Sequence, residues 1–177
     1  MKTLPIQFLR ECLNYDSQSG VLTWAHRPRH HFKTDRGWRT FNSKHAGKAA
    51  GTISATTGYL IVNFSGSLFG GHRVAWALHH GQWPEKHIDH IDCNRASNAI
   101  TNLRLCERSD NQANRGVQRN NTSGLKGAHK HGDGVWRSRI RRGQKTIDLG
   151  LFPSPEAAHA AYCAAVGEMH GEFARVQ

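Results

Sequence analysis

The run Lys86-His87-Ile88-Asp89-His90-Ile91-Asp92-Cys93-Asn94 carries the feature on which the reading of this chain turns: an Asp-His pair held between isoleucines. Ile88 and its neighbours predict a short strand that ends at the pair. A polar loop follows and leads to Asn102-Leu103-Arg104-Leu105, where Asn102 precedes a second short strand. Ser109-Asp110-Asn111-Gln112-Ala113-Asn114-Arg115 then predicts a short helix ended by Gly116. His90, Asn102 and Asn111 fall at the ends of these pieces, where they can converge.

Such a set suits phosphodiester hydrolysis. A neutral imidazole, with a pKa of about 6.5 when unperturbed, is a suitable base for water at pH 7. Hence His90 is the candidate base. Mg²⁺ takes one or two protein oxygens and keeps waters and phosphate as its other ligands. Asp89 and the amide oxygen of Asn111 can supply those two oxygens. Asn102 can hold the imidazole in one tautomer through its side-chain carbonyl. Mg²⁺ or Mn²⁺ is therefore the expected ion.

Upstream, Gly58-Tyr59-Leu60-Ile61-Val62-Asn63-Phe64 predicts a strand and Leu68-Phe69 a return strand. His72-Arg73-Val74-Ala75-Trp76-Ala77-Leu78-His79-His80 predicts a helix closed by Gly81. Ile6, Leu9 and Leu13 predict a first helix, Asp16–Gly20 a turn and Val21–Trp24 a strand. Residues 26–45 show no clean period and read as loop.

The charge pattern frames the middle segment. The chain has 177 residues and a formal net charge of +11. Residues 1–85 hold ten basic and four acidic groups; residues 118–151 hold eight and two; residues 86–117 hold five and four. Two basic regions flank a nearly neutral middle, which points to a polyanionic partner, with double-stranded DNA expected. Arg27, Arg29, Lys33, Arg36 and Arg39 are candidate phosphate contacts from the first region. The histidine pairs His30-His31 and His79-His80, with His87, read as packing or solvated residues rather than metal ligands. His72 is a weaker candidate for positioning phosphate. No apolar run nears the roughly 20 residues of a membrane helix. Cys12, Cys93, Cys106 and Cys163 form no C-x-x-C pair, so no structural zinc or disulfide framework is expected, and a reducing cytoplasm fits.

The stretch from Arg115 to Gly124 is polar and reads as a linker. Beyond it, Leu125–Lys130, Val135–Arg141 and Lys145–Leu149 predict three strands. Ser154-Pro155-Glu156 then opens a helix reaching about His170. Strand alternation puts Trp136, Ser138 and Ile140 on the face that the helix covers, and Arg137, Arg139 and Arg141 on the open face. Lys126, His129, His131 and Lys145 extend that basic face, and Arg73 adds a basic group beside the middle segment.

Two resemblances follow from these residues. Asp89-His90-Ile91-Asp92, Asn102-Leu103-Arg104 and Asn111-Gln112-Ala113-Asn114, with the upstream strand and helix, resemble the HNH, or ββα-metal, nucleases. The nearest likeness is to the phage homing endonucleases of His-Asn-Asn type. The resemblance implies His90 as general base, Asn102 as the residue orienting it, and Asp89 and Asn111 as metal ligands. The chain departs from the family in carrying Cys93 where glycine is common. The C-terminal residues Leu149-Gly150-Leu151-Phe152 and Glu156-Ala157-Ala158-His159-Ala160-Ala161-Tyr162 resemble the APETALA/ethylene-response-factor DNA-binding domain, which reads DNA with its sheet. Thr146 and Asp148 on the third strand differ from that family, so no base preference carries over.

The expected fold class is α+β, a ββα-metal unit plus a small three-stranded antiparallel sheet packed on one helix. The expected division is a basic region at 1–57, the nuclease domain at 58–116, a linker at 117–124 and the reader at 125–177. The expected function is metal-dependent cleavage of duplex DNA, with a monomer nicking one strand per visit. The rivals are a DNA-binding regulator with an inactive HNH fold and an enzyme acting on RNA.

Overall fold

The computed structural model describes residues 3–107, 117, 121–142 and 145–170. The chain forms two compact units, Met1–Leu105 and Cys106–Gln177.

In the first unit, helix α1 (Ile6–Cys12) runs into strand β1 (Leu13–Tyr15), which pairs antiparallel with β2 (Leu22–Trp24). The turn between them is tied by Asp16, whose carboxylate accepts from the Gln18 amide at 3.0 Å and the Ser19 hydroxyl at 2.6 Å. A three-stranded antiparallel sheet follows in the order β3 (Thr52–Ile53), β4 (Leu60–Phe64), β5 (Ser67–Gly70). Val62 and Phe64 point inward on β4 and meet Phe69 of β5. Helix α3 (Gly71–His80) leaves β5 directly and stops at Gly81, which takes the left-handed φ of +71° that a C-terminal cap needs.

The larger core of this unit joins its N-terminal segment to the strands and helix that follow. Leu9, Cys12, Leu13 and Leu22 from the N-terminal segment pack with Val62, Phe64, Phe69, Val74 and Ala77. The first 57 residues and the strands that follow therefore share one interior, and no packing boundary separates them at residue 58. Alternate faces of α3 are both used: Val74 and Ala77 meet that core, while Ala75 packs with Ile88 and Leu103. Those last two belong to β6 (His87–His90) and β7 (Leu103–Cys106), which pair as a two-stranded sheet.

Residues 26–45 differ from the loop expected. They form a 3-10 turn at Arg29–His31 and helix α2 (Asp35–His45). Thr34 caps α2 by accepting from the Gly37 amide at 3.1 Å, and Asp35 places an acid in its first turn. The helix is polar on most sides, so apolar periodicity misses it. Its inward residues are the half-buried Trp38 and Phe41 and the buried Asn42.

In the second unit, β8 (Ala128–Gly132), β9 (Val135–Arg142) and β10 (Lys145–Phe152) form an antiparallel sheet with β9 central. Helix α4 (Pro155–His170) covers one face, with Tyr162, Ala165 and Val166 around Ile140. Ser154 caps it, accepting from the Ala157 amide at 3.1 Å. Gly127 is required: its φ is +78°, and a Cβ there would lie 2.2 Å from the Tyr162 ring. Of the expected linker, residues 121–124 form a tied turn in which Asn121 accepts from the Ser123 amide at 2.9 Å. Residues 118–120, and the segment 108–116 on which the helix bearing Asn111 was expected, lie outside the described residues. No helix among the described residues is long and apolar enough to cross a membrane.

Candidate active site

His90 ends β6 and is 3% exposed. Its ring meets Tyr59 at 5.7 Å and His72 at 5.4 Å between centroids. The chain turns immediately after it, with the Cys93 amide donating to the His90 carbonyl at 3.0 Å. Burial holds the His90 imidazole below the ordinary histidine range; the hydrogen bond to Asn98 and the charges of Asp92 and Asp89 oppose this. At neutral pH the ring is therefore uncharged, the form a base requires.

Asn98 sets the tautomer. Its Nδ2 donates to the Ala96 carbonyl at 3.2 Å, so Oδ1 is the atom turned toward Nε2 of His90, 3.4 Å away. A carbonyl oxygen accepts, so Nε2 carries the proton and the basic lone pair belongs to Nδ1. Asn98 is itself 1% exposed, and the N-terminal hairpin fixes its backbone. The Tyr15 hydroxyl donates to the Asn98 carbonyl at 2.8 Å, and the Ile100 amide donates to the Ser17 carbonyl at 3.0 Å.

Asn102 was expected to orient the imidazole, and its hydrogen bonds go elsewhere. Oδ1 accepts from the Asp92 amide at 3.0 Å, while Nδ2 donates to Asp92 Oδ1 and the Ser97 carbonyl, both at 2.9 Å. Asn102 staples the neck of the loop between β6 and β7, and Asn98, which the sequence reading passed over, stands at the ring. The two asparagines are four residues apart in one polar loop. Spacing from His90 does not tell which of them reaches it.

Asp89 precedes His90 on the strand and meets β7. Its Oδ2 accepts from Nε and Nη2 of Arg104 at 3.1 and 3.0 Å, with Asp89 5% exposed. The carboxylate is thus oriented by its neighbour, and its oxygens are hard donors of the kind Mg²⁺ and Mn²⁺ accept. Asn111, its expected partner as ligand, lies outside the described residues. Arg95, also missed from sequence, stands over the Tyr59 ring at 5.1 Å and donates to the Thr57 carbonyl at 2.8 Å.

A second group of metal-type donors lies elsewhere in this unit: Glu11, His30 and His31, with ligand atoms within 4.8 Å of one another. Its hydrogen bonds argue for a structural role. Arg27 Nε donates to His31 Nδ1 at 3.3 Å, which places the ring proton on Nε2, donated to Glu11 at 2.8 Å. A cation at Nε2 would have to displace that proton beside the Arg27 guanidinium.

The expected DNA contacts divide sharply. Arg27 is 7% exposed, with its guanidinium 4.9 to 5.7 Å from the centroids of Phe8, Phe32 and Phe41. Asn42 and Trp38 of α2 bind its backbone. It is an interior cation, closed off from phosphate. Arg73 spends its guanidinium on the carbonyls of Pro84 and Lys86, at 3.0 and 3.3 Å, and so anchors the approach to β6. Arg29 is exposed and pairs with Asp35. On the open face of the second unit, Arg139 and Arg141 are exposed and Arg137 is half-buried. Arg137 is chelated by Asp148, which Arg139 approaches at 4.0 Å. His129, His131 and Lys145 are exposed; Lys126 lies over Tyr162 at 5.9 Å.

Residues 70–113 match the HNH endonuclease family. The chain is 33% identical over 106 residues to Protein 3.8 of Escherichia phage T7, an alignment covering 59% of this chain and 87% of that protein. It is 30% identical over 88 residues to the uncharacterized HNH endonuclease L560 of Acanthamoeba polyphaga mimivirus, covering 50% of this chain and 45% of that protein. No solved structure matches the chain significantly. The chain thus belongs to the same family as Protein 3.8 of phage T7, and it carries an HNH endonuclease domain at residues 70–113.

Proposed function

We propose that this protein is a metal-dependent endonuclease that hydrolyses phosphodiester bonds in duplex DNA, of the phage homing type. The observation that carries the reading is the His90–Asn98 pair. A buried neutral imidazole, fixed in one tautomer at a strand end, lies inside the matched HNH segment. His90 takes the proton of the attacking water on Nδ1, and Asn98 stabilises the imidazolium that forms. Asp89 and Asn111 would hold Mg²⁺ or Mn²⁺. When bound, the ion supplies positive charge to the phosphate and the leaving oxygen. Arg104 keeps Asp89 oriented.

The catalytic part spans residues 58–116, scaffolded by residues 1–57. Residues 125–177 form the DNA reader, similar to the APETALA/ethylene-response-factor domain, with Arg139 and Arg141 on its open face, Arg137 clamped by Asp148, and His129 opposite Arg137 on the neighbouring strand. Lys126, over Tyr162, and Lys145, opposite Arg142, fall on the helix side, not on the arginine face as expected. One active centre per chain makes a monomer a nicking enzyme. The competing reading, a DNA-binding regulator, draws on the Asp89–Arg104 ion pair, which can serve as a purely structural contact.

Supercoiled plasmid incubated with Mg²⁺, Mn²⁺ or EDTA separates the two readings. The nuclease converts it to open circles in a metal-dependent way, and His90→Ala abolishes that. Tight DNA binding without cleavage, in both proteins, supports the regulator.

A further inference from the structure

His72 is the second residue of α3, and its ring folds back over the strand–helix junction. Gly70 makes room for it: a Cβ there would lie 2.8 Å from Cε1 of the imidazole. The ring faces Tyr59 at 5.0 Å and His90 at 5.4 Å, so three rings line one side of the candidate site. Nδ1 is sealed from solvent without a hydrogen-bond partner among the described residues. Other histidines packed in this chain are anchored: His31 binds Arg27 and Glu11, and His159 donates to the Lys126 carbonyl at 2.7 Å.

A histidine serving only to fill space is a poor choice here. Phenylalanine has nearly the same shape and leaves no polar atom unpaired. The unpaired Nδ1 is a cost that packing alone does not justify, so the reason for a histidine lies in its other ring nitrogen. The residue is partly exposed as a whole, which leaves Nε2 as the nitrogen able to meet a ligand. Arg95 over Tyr59 and the nearby Arg73 make the surroundings electropositive, which selects an anionic oxygen. Burial, then the charges of His90 and Arg73, lower the His72 pKa to about 3, so the ring presents one N–H and adds no charge beside the base.

We propose that His72 contacts the substrate directly, its Nε2–H donating to a non-bridging phosphate oxygen of the strand bound over His90. This rests on the nuclease reading and adds a second substrate-touching imidazole to it.

The test compares wild type, His90→Ala, His72→Phe and His72→Gln in the full chain, by metal-dependent plasmid cleavage and by thermal melting. His72→Phe keeps the ring packing and loses both nitrogens. It is expected to melt at or above wild type and to cleave at least tenfold more slowly. His72→Gln places an amide N–H near the position of Nε2 and is expected to recover part of the rate. A purely structural His72 predicts the reverse order, with Phe the better replacement. His72→Phe cleaving within twofold of wild type, or His72→Gln no faster than His72→Phe at equal melting temperature, overturns the phosphate contact and leaves the nuclease reading intact. Wild type that cleaves with no metal overturns both.

Discussion

The hydroxyl of Tyr15 donates a 2.8 Å hydrogen bond to the backbone carbonyl of Asn98, the residue whose side chain faces the His90 imidazole. An N-terminal hairpin thereby sets the position of a loop 83 residues away in sequence. Gly20, on the same hairpin, abuts that loop: its φ is +75°, and a Cβ would lie 2.2 Å from the Ala99 amide nitrogen. Gly20→Ala is therefore expected to destabilise the protein by at least about 2 kcal/mol, through both strain and backbone clash. Tyr15→Phe is expected to cost about 1 kcal/mol and to slow cleavage, because the Asn98 backbone loses its tether. Urea unfolding and plasmid cleavage read the two effects. Tyr15→Phe with wild-type rate and stability would show that the hairpin does not set the loop.

Cys93 occupies a position built for glycine. Its φ is +62°, in the turn closed by its amide on the His90 carbonyl. A side chain in the left-handed region costs roughly 1 kcal/mol. Cys93→Gly relieves that cost, less the added freedom of glycine in the unfolded chain. The expected outcome is a thermal midpoint equal to or above wild type, with cleavage retained. A marked fall in either would assign the Cys93 side chain a role of its own.

Acid should destabilise the first unit before its carboxylates titrate. The His72 pKa is lowered to about 3, chiefly by burial, against about 6.5 in an unfolded chain. Between those values the unfolded state binds a proton that the folded state refuses, so stability falls as pH falls from about 6.5 toward 3. The slope from one such group approaches about 1.4 kcal/mol per pH unit. His90, lowered by burial in the same direction, steepens it. Melting temperatures at pH 7.5, 6 and 5 are expected to decline in that order, and His72→Phe to flatten the decline. A midpoint unchanged across this range would contradict the burial of these rings.

Arg27 and Arg139 are both basic, and only one is open to a phosphate. Arg27→Ala removes a cation packed on three aromatic rings and is expected to cost about 2 kcal/mol or more of stability, with DNA affinity of the folded protein unchanged. Arg139→Ala, on the exposed face of β9, is expected to leave stability within about 0.5 kcal/mol. It should weaken DNA binding and lower the salt slope by about one. Binding isotherms at several salt concentrations distinguish these outcomes.

The local elements were legible where apolar period and caps coincide. Ser154 with Pro155 opens α4, Gly81 closes α3, and alternation along β9 separates Ser138 and Ile140 from the arginines. Helix α2 escaped because its inward residues are two aromatics and an asparagine among polar neighbours. Arg27 escaped for a related reason: a guanidinium reads as a surface charge until three rings close around it. The Asp-His pair of the site was readable because adjacent residues stay adjacent. Asn98 was not, since a tight loop folded between two strands brings residue 98 to the ring and sends residue 102 to the loop neck. Chain spacing does not encode that choice; the contacts of Tyr15 and Gly20 with the loop do.

The most direct test of the account is the cleavage rate of supercoiled DNA by wild type, His90→Ala, Asn98→Ala and Asn102→Asp, each normalised to its folded fraction. The account predicts metal-dependent nicking by wild type, none by His90→Ala, and a loss of about 10- to 100-fold in Asn98→Ala. Asn102→Asp, which keeps an oxygen on the Asp92 amide, should act mainly through stability. Wild-type rates in His90→Ala, or no cleavage by any protein with either metal, would contradict it.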